Sequence, residues 1–190
     1  MLSSMGRVWA MEMDAYALEE ARRIAPGLDI RQGWLPDQIP FEDRRFDLIC
    51  LFDVLEHVED DAAALKQVYS LLEKHGVVLL TVPAFQWLYG PHDKAHHHFR
   101  RYTASRLRKI ACKAGFRVGR CGYFNTLLFP LAAAQRWATR FLGKRESNGA
   151  VLPNPLLNRI LFNVFAFERH VLPYVFFPFG VSVIAVLEKP

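Results

Sequence analysis

Apolar runs alternate along the chain with segments whose apolar positions recur every three or four residues, which predicts strands joined by helices. Residues 7–13 (RVWAMEM) read as a first strand. Asp14 is placed to cap a helix reaching Ile24, with Leu18, Ala21 and Ile24 on one face, and Pro26 and Gly27 end it. A second strand is predicted over 28–34, a loop with Pro and Asp over 35–45, and a third strand over 46–54. Leu48, Ile49, Cys50, Leu51 and Phe52 form an unbroken apolar run, the pattern of a parallel strand covered on both faces. Asp60 or Asp61 can cap the next helix, which carries Leu65, Val68 and Leu72, with Gly76 as its C-cap and 76–82 (GVVLLTV) as the fourth strand. Thr103 can cap a helix bearing Leu107, Ile110, Ala111 and Ala114, closed by Gly115. Residues 116–125 and 181–189 read as two further strands. Alternating strands and helices imply an α/β domain with a mostly parallel sheet.

Composition narrows the picture. A chain of 190 residues with 52% hydrophobic content can build one ordinary domain with a full core. The net charge of +5 permits attraction to phosphates or anionic lipid. No basic run or aromatic-interleaved stripe points to nucleic acid, so none is expected as a partner. Cys50, Cys112 and Cys121 include no CxxC pair and read as reduced structural thiols of a cytoplasmic protein. The first residues, MLSSMGRVWAMEMD, lack the features of a signal peptide.

The segment 46–61, FDLICLFDVLEHVEDD, carries the first candidate chemistry, because its apolar run breaks into Asp53, Glu56 and His57. Ligands of open α/β sheets bind beyond the carboxyl ends of strands, where these polar residues fall. A solvated turn followed by a helix cap is the plainer reading of the same residues.

This run, the later GVVLLTVPA and the stretch from His92 to Tyr102 resemble the class I S-adenosylmethionine-dependent methyltransferases, in particular their small-molecule branch called type 11 or 23. The resemblance spans nearly the whole chain and implies a Rossmann-like sheet, mostly parallel with an antiparallel last strand. It implies S-adenosyl-L-methionine as cofactor and a small-molecule or lipid-like methyl acceptor. By the same correspondence Glu12 matches the acidic residue that accepts bonds from both ribose hydroxyls, a task a carboxylate suits because it offers several lone pairs. Gly33, Trp34 and Leu35 match the adenine loop. Asp53, Val54 and Leu55, with Glu56 and His57 just beyond, match the segment under the methionine end.

One departure stands out. The family's first strand ends in a glycine-rich turn that lets the backbone approach the cofactor, and no such turn occurs in this sequence. The missing strand lies centrally in the family sheet, between the strands that carry Glu12 and Asp53. Its loss would leave two rows of unpaired backbone groups or force those strands together. The expectation is a single, N-terminally truncated methyltransferase domain over 1–190. The competing expectation is a degenerate relative without independent cofactor binding, acting as a partner subunit or inactive.

The second constellation is PHDKAHHHFRRYT, 91–103. Its histidines, aspartate and arginines could supply a base and anion-binding groups, or simply form a polar loop that anchors the next helix. In the resembling branch an HD followed by HxRRY recurs here, so His92, Asp93 and His98 are the expected catalytic positions and Arg100, Arg101 and Tyr102 the expected substrate contacts. The sulfonium already activates the methyl group, so a base is needed only for a hydroxyl or protonated amine acceptor. His92 or His98 would fill that role with Asp93 orienting the ring. His92 and His96 have i,i+4 spacing, but Pro91 and a loop-like setting argue against a helical ligand pair, and no metal is expected.

Residues 126–179 read as an apolar, helical insertion or cap before the last strand, with Arg136, Arg140, Arg159, Arg169 and His170 interspersed. No uninterrupted apolar stretch is long enough to span a membrane. Two readings stand: helices packed on the sheet, or amphipathic helices that lie on a membrane or cover an apolar substrate. Between them, 143–149 (GKRESNG) reads as a short polar loop. A nucleotide-binding oxidoreductase would share the sheet and the ribose carboxylate, but its glycine fingerprint is absent too.

Overall fold

The computed structural model describes residues 4–142, 154–172, 174–175 and 177–190, in two compact units, Met1–Arg45 and Phe46–Pro190. The expected loop 143–149 lies outside the described residues.

In the first unit β1 (Trp9–Glu12) pairs in parallel with β2 (Asp29–Gln32), and α1 (Ala15–Ile24) connects them. Asp14 caps α1 by accepting from the Ala17 amide at 2.8 Å. In its last turn, Arg22 donates from Nε and Nη2 to the Ile30 carbonyl at 3.1 and 2.8 Å, which ties the helix to β2. Both strands are shorter than their apolar patterns suggest. After Gln32 the chain turns, and Trp34 bridges to Gln38 instead of extending β2.

The second unit runs β3 (Phe46–Phe52), a 3-10 turn (Leu55–His57), α2 (Asp61–Leu71), β4 (Leu72–Pro83), a second 3-10 turn (Gln86–Leu88) and α3 (Pro91–Ala95). It continues with α4 (Ala104–Lys113), β5 (Arg117–Phe124), α5 (Phe129–Leu142), α6 (Pro155–Glu168) and β6 (Ser182–Glu188). The sheet order is β3-β4-β6-β5, with β3 and β4 parallel and β6 antiparallel to both its neighbours. Its core face joins Val78, Leu80 and Val82 of β4 to Val183, Ala185 and Leu187 of β6. Leu65 and Val68 of α2 and Leu107 and Ala111 of α4 are buried as well. Each such aliphatic side chain contributes about 1.5–3 kcal/mol by leaving water, with Ala contributing less.

One open local expectation is resolved and two change. Asp60, not Asp61, caps α2, accepting from the Ala63 amide at 2.9 Å. Gly76 is not a helix cap: β4 starts at Leu72 and Gly76 lies inside it, where an added Cβ would stand 2.9 Å from the Phe46 and Glu73 carbonyls. The end of α2 is closed instead by Lys189, whose Nζ donates to the Tyr69 and Leu72 carbonyls at 3.1 and 2.7 Å. β3 is also less covered than its apolar run implies, with Leu48 and Phe52 42% and 53% exposed. The reason is its edge position, since among the described residues it pairs only with β4.

Glu168, at the end of α6, is buried and accepts from the Asn125 and Leu127 amides at 2.6 and 2.8 Å, so α6 anchors the exit of β5. Gly180 passes so close to the Phe124 backbone that a Cβ would sit 2.2 Å from its carbonyl oxygen.

Candidate functional site

The second unit gathers most of the candidate residues at the carboxyl end of β3 and β4. Asp53 follows β3 with φ of 52°, a left-handed conformation that Asp tolerates better than most residues. Its amide donates to the carbonyl and Oγ1 of Thr81 at 3.0 and 3.2 Å, which fixes the turn against β4. Val54 and the buried Leu55 lead into the 3-10 turn that carries Glu56 and His57.

Asp93 is the centre of the second constellation. Its carboxylate is fully buried and accepts from Arg101 Nε and Nη2 at 2.7 and 3.0 Å and from the Gly90 amide at 2.8 Å. Burial alone pushes this carboxyl up, but the bonds from Arg101 and Gly90 outweigh it and hold it below the usual aspartate range. His98 Nδ1 lies 3.0 Å from Asp93 Oδ1, so the carboxylate orients the ring and leaves Nε2 as the outward nitrogen.

Pro91–Ala95 is a short helix and not the loop expected from the sequence, because proline fits a first helical position. It brings the His92 and His96 rings to 4.3 Å between centroids. His92 is exposed, and partial desolvation with the neighbouring His96 holds its imidazole below the ordinary histidine range.

Arg100, Arg101 and Tyr102 are all engaged within the protein. Arg100 donates to the Val58 and Glu59 carbonyls at 3.0 and 2.6 Å. The fully buried Tyr102 donates its hydroxyl to Asp61 Oδ2 at 2.9 Å, and burial raises its pKa. Arg100 and Arg106 each approach that same Asp61 oxygen at 3.2 Å. The RRY sequence therefore clamps the start of α2 to the strand-end loop, with Arg101 bonded to Asp93 and Tyr102 to Asp61.

Glu56 is the residue the sequence underplays. It is fully buried, and neither carboxylate oxygen has a hydrogen-bond partner. Burial, with a smaller push from the nearby Asp53, raises its pKa to about 8. The exposed His57 ring stands edge-on to His98 at 4.5 Å between centroids. Nothing in the pattern LEHVEDD marks Glu56 for burial. Asp61 was legible only as a helix cap.

In the first unit Glu12 ends β1, and its Oε1 accepts from the Asp14 amide at 2.9 Å. That bond steadies the carboxylate and leaves lone pairs available to further donors. Gly33 has a separate reason to be glycine, since a Cβ there would come within 2.5 Å of the Gln38 carbonyl and 2.6 Å of Pro40. Trp34 is 40% exposed and Leu35 is buried.

Comparison with known proteins gives a consistent picture. The methyltransferase domain family matches residues 1–119. A probable S-adenosylmethionine-dependent methyltransferase of Mycolicibacterium smegmatis is 29% identical over 114 residues, covering 59% of this chain and 44% of that protein. The chain thus matches less than half the length of that relative. Among solved structures, an S-adenosylmethionine-dependent methyltransferase of Mesorhizobium loti superposes with a TM-score of 0.60 at 13% identity, over 97% of this chain and 81% of that one. A TehB-like S-adenosylmethionine-dependent methyltransferase of Corynebacterium glutamicum gives 0.56 at 16% identity, over 100% and 72%. At such identities the structural likeness speaks for the fold alone.

Proposed function

The chain belongs to the class I S-adenosylmethionine-dependent methyltransferase family, and from that premise we propose that the protein methylates a small-molecule or lipid-like acceptor that carries an exchangeable proton. The observation that carries this reading is the His98–Asp93 pair at 3.0 Å, with Asp93 locked by Arg101. An imidazole held this way can take a proton from a hydroxyl or amine as its lone pair attacks.

S-adenosylmethionine, when bound, supplies a methyl group already activated by its sulfonium. By family correspondence Glu12 takes the ribose hydroxyls, Gly33, Trp34 and Leu35 take the adenine, and Asp53, Val54, Leu55 and His57 take the methionine end. His98 accepts the acceptor's proton. Asp93 holds the productive tautomer, and Arg101 keeps Asp93 ionised.

The acceptor class follows from the helical segment. Leu156, Ile160, Phe162 and Phe167 of α6 and Trp137 of α5 are each at least half exposed. Arg159 and Arg169 lie exposed on or just beyond the same helix. An apolar surface of this extent with basic neighbours suits a lipid-like acceptor or peripheral contact with an anionic membrane. No helix among the described residues is long and apolar enough to cross a membrane.

Calorimetry with S-adenosylmethionine tests the core of the proposal. Micromolar binding that is lost in Glu12→Ala is expected. No binding by a folded protein would overturn it and favour a partner-dependent relative.

A further inference from the structure

Glu56, His57 and His98 each present one potential ligand atom, and these three atoms lie within 4.8 Å of one another. Their setting distinguishes them from a chance cluster. Glu56 is wholly buried with both oxygens unpartnered, and an unpaired buried carboxylate is costly unless something compensates it. The other nearby charges are accounted for. Asp93 is neutralised by the bidentate Arg101, which leaves Glu56 and the exposed Asp53 as the other carboxyl groups nearby.

We infer that Glu56, His57 and His98 form a binding site for a divalent transition-metal ion. Two imidazoles and one carboxylate are the donor set of Zn²⁺ and Fe²⁺ sites, whereas Mg²⁺ and Ca²⁺ prefer oxygen alone. Three protein ligands leave a coordination position open to water or an acceptor oxygen. The outer shell is already built: Asp93 holds His98 Nδ1, so Nε2 is the nitrogen turned to the ion, the carboxylate–histidine–metal arrangement seen in stable sites. The backbone is fixed as well, because the Phe99 amide donates to the Glu56 carbonyl at 2.8 Å and joins the two ligand segments. Metal bonds of about 2.1 Å require the donors to draw together by roughly 1 Å. Rotation of the exposed His57 side chain can supply much of this.

The site shares His57 with the segment that family correspondence puts under the methionine end, whereas Glu56 and His98 have no cofactor contact assigned to them. An ion at Nε2 occupies the lone pair that accepts a proton in the metal-free protein, so His98 is a ligand in one form and a base in the other.

Titration of the metal-free protein with Co²⁺, read by its visible absorption, tests the inference. Bands of a four- or five-coordinate ion saturating at one equivalent are expected, with displacement by Zn²⁺. Glu56→Gln keeps the shape of the buried side chain and should weaken Co²⁺ binding by about 100-fold. His57→Ala should do likewise, while His92→Ala with His96→Ala should leave the bands in place. Absent bands, or bands that survive Glu56→Gln, overturn the site. Calorimetry with S-adenosylmethionine reads the methyltransferase proposal separately, so either can fail alone.

Discussion

His98 Nδ1 stands 3.0 Å from Oδ1 of the buried Asp93, and Arg101 binds that same carboxylate through two nitrogens. The pair orients a histidine whose side chain is 11% exposed. Only a ring whose tautomer and direction are fixed before the acceptor arrives can take a proton without reorganisation.

Replacing His98 with Ala should therefore lower methyl transfer in metal-free buffer by about 10²–10⁴-fold. Affinity for S-adenosylmethionine should stay within about threefold, because the family correspondence assigns His98 no cofactor contact. Turnover measured with saturating cofactor decides the matter, and equal turnover in wild type and His98→Ala would remove the residue from the reaction.

Glu56 makes stability pH-dependent. In the metal-free protein its folded pKa of about 8 lies above the ordinary value of 4.5. Below about pH 4.5 the carboxyl is neutral in both states. Between there and about 8 only the unfolded chain ionises it, so stability falls by up to about 1.4 kcal/mol per pH unit and levels off above that window. Urea midpoints across pH 5 to 9 should show this slope in the wild type. They should flatten in Glu56→Gln, and parallel profiles for the two proteins would refute the assignment.

Tyr102→Phe removes the link to Asp61 together with a longer bond to the Leu55 carbonyl. Removing the hydroxyl deletes the 2.9 Å bond but leaves Arg100 and Arg106 at 3.2 Å on the same oxygen. A loss of about 1–2 kcal/mol is expected in chemical denaturation. A change within experimental scatter would mean that the arginines alone hold the start of α2.

Gly180→Ala should destabilise by about 1–3 kcal/mol or more, since the methyl group meets the Phe124 carbonyl oxygen at 2.2 Å. Gly27→Ala, with nothing within 4 Å, serves as control and should stay within about 0.5 kcal/mol. Thermal denaturation of both variants gives the comparison.

Flotation with anionic vesicles tests the apolar surface of α6. The wild type should float with the vesicles, and exchanging Leu156, Ile160 and Phe167 for Ser should leave most of the protein in the soluble fraction. Equal partitioning of the two would assign those exposed side chains to another partner.

Much of this was legible without coordinates. The succession of strands and helices emerges because each element's burial pattern repeats with its own local period. Asp14 and Thr103 were identifiable as caps because an N-cap bonds an amide only a few residues ahead. His98 and Asp93 were also recognisable as candidates, since they are five residues apart and fall in one short motif.

Other features depend on contacts far along the chain. Gly76 looks like a helix cap because nothing near it in sequence announces Lys189, which closes α2 from just beyond the last strand. The exposure of Leu48 and Phe52 reflects how many neighbours β3 has, and an apolar run does not encode that number.

The sequence by itself determined the order of the main strands and helices, the N-caps Asp14 and Thr103 and the residue types available for proton transfer, because these follow from local periodicity and short-range bonding. The tertiary structure alone decided that Tyr102 anchors Asp61 across the fold and that Glu56 is sealed without a partner beside His57 and His98. A side chain's charge state and neighbours depend on which remote segments exclude water from it, and that is settled only when the segments pack.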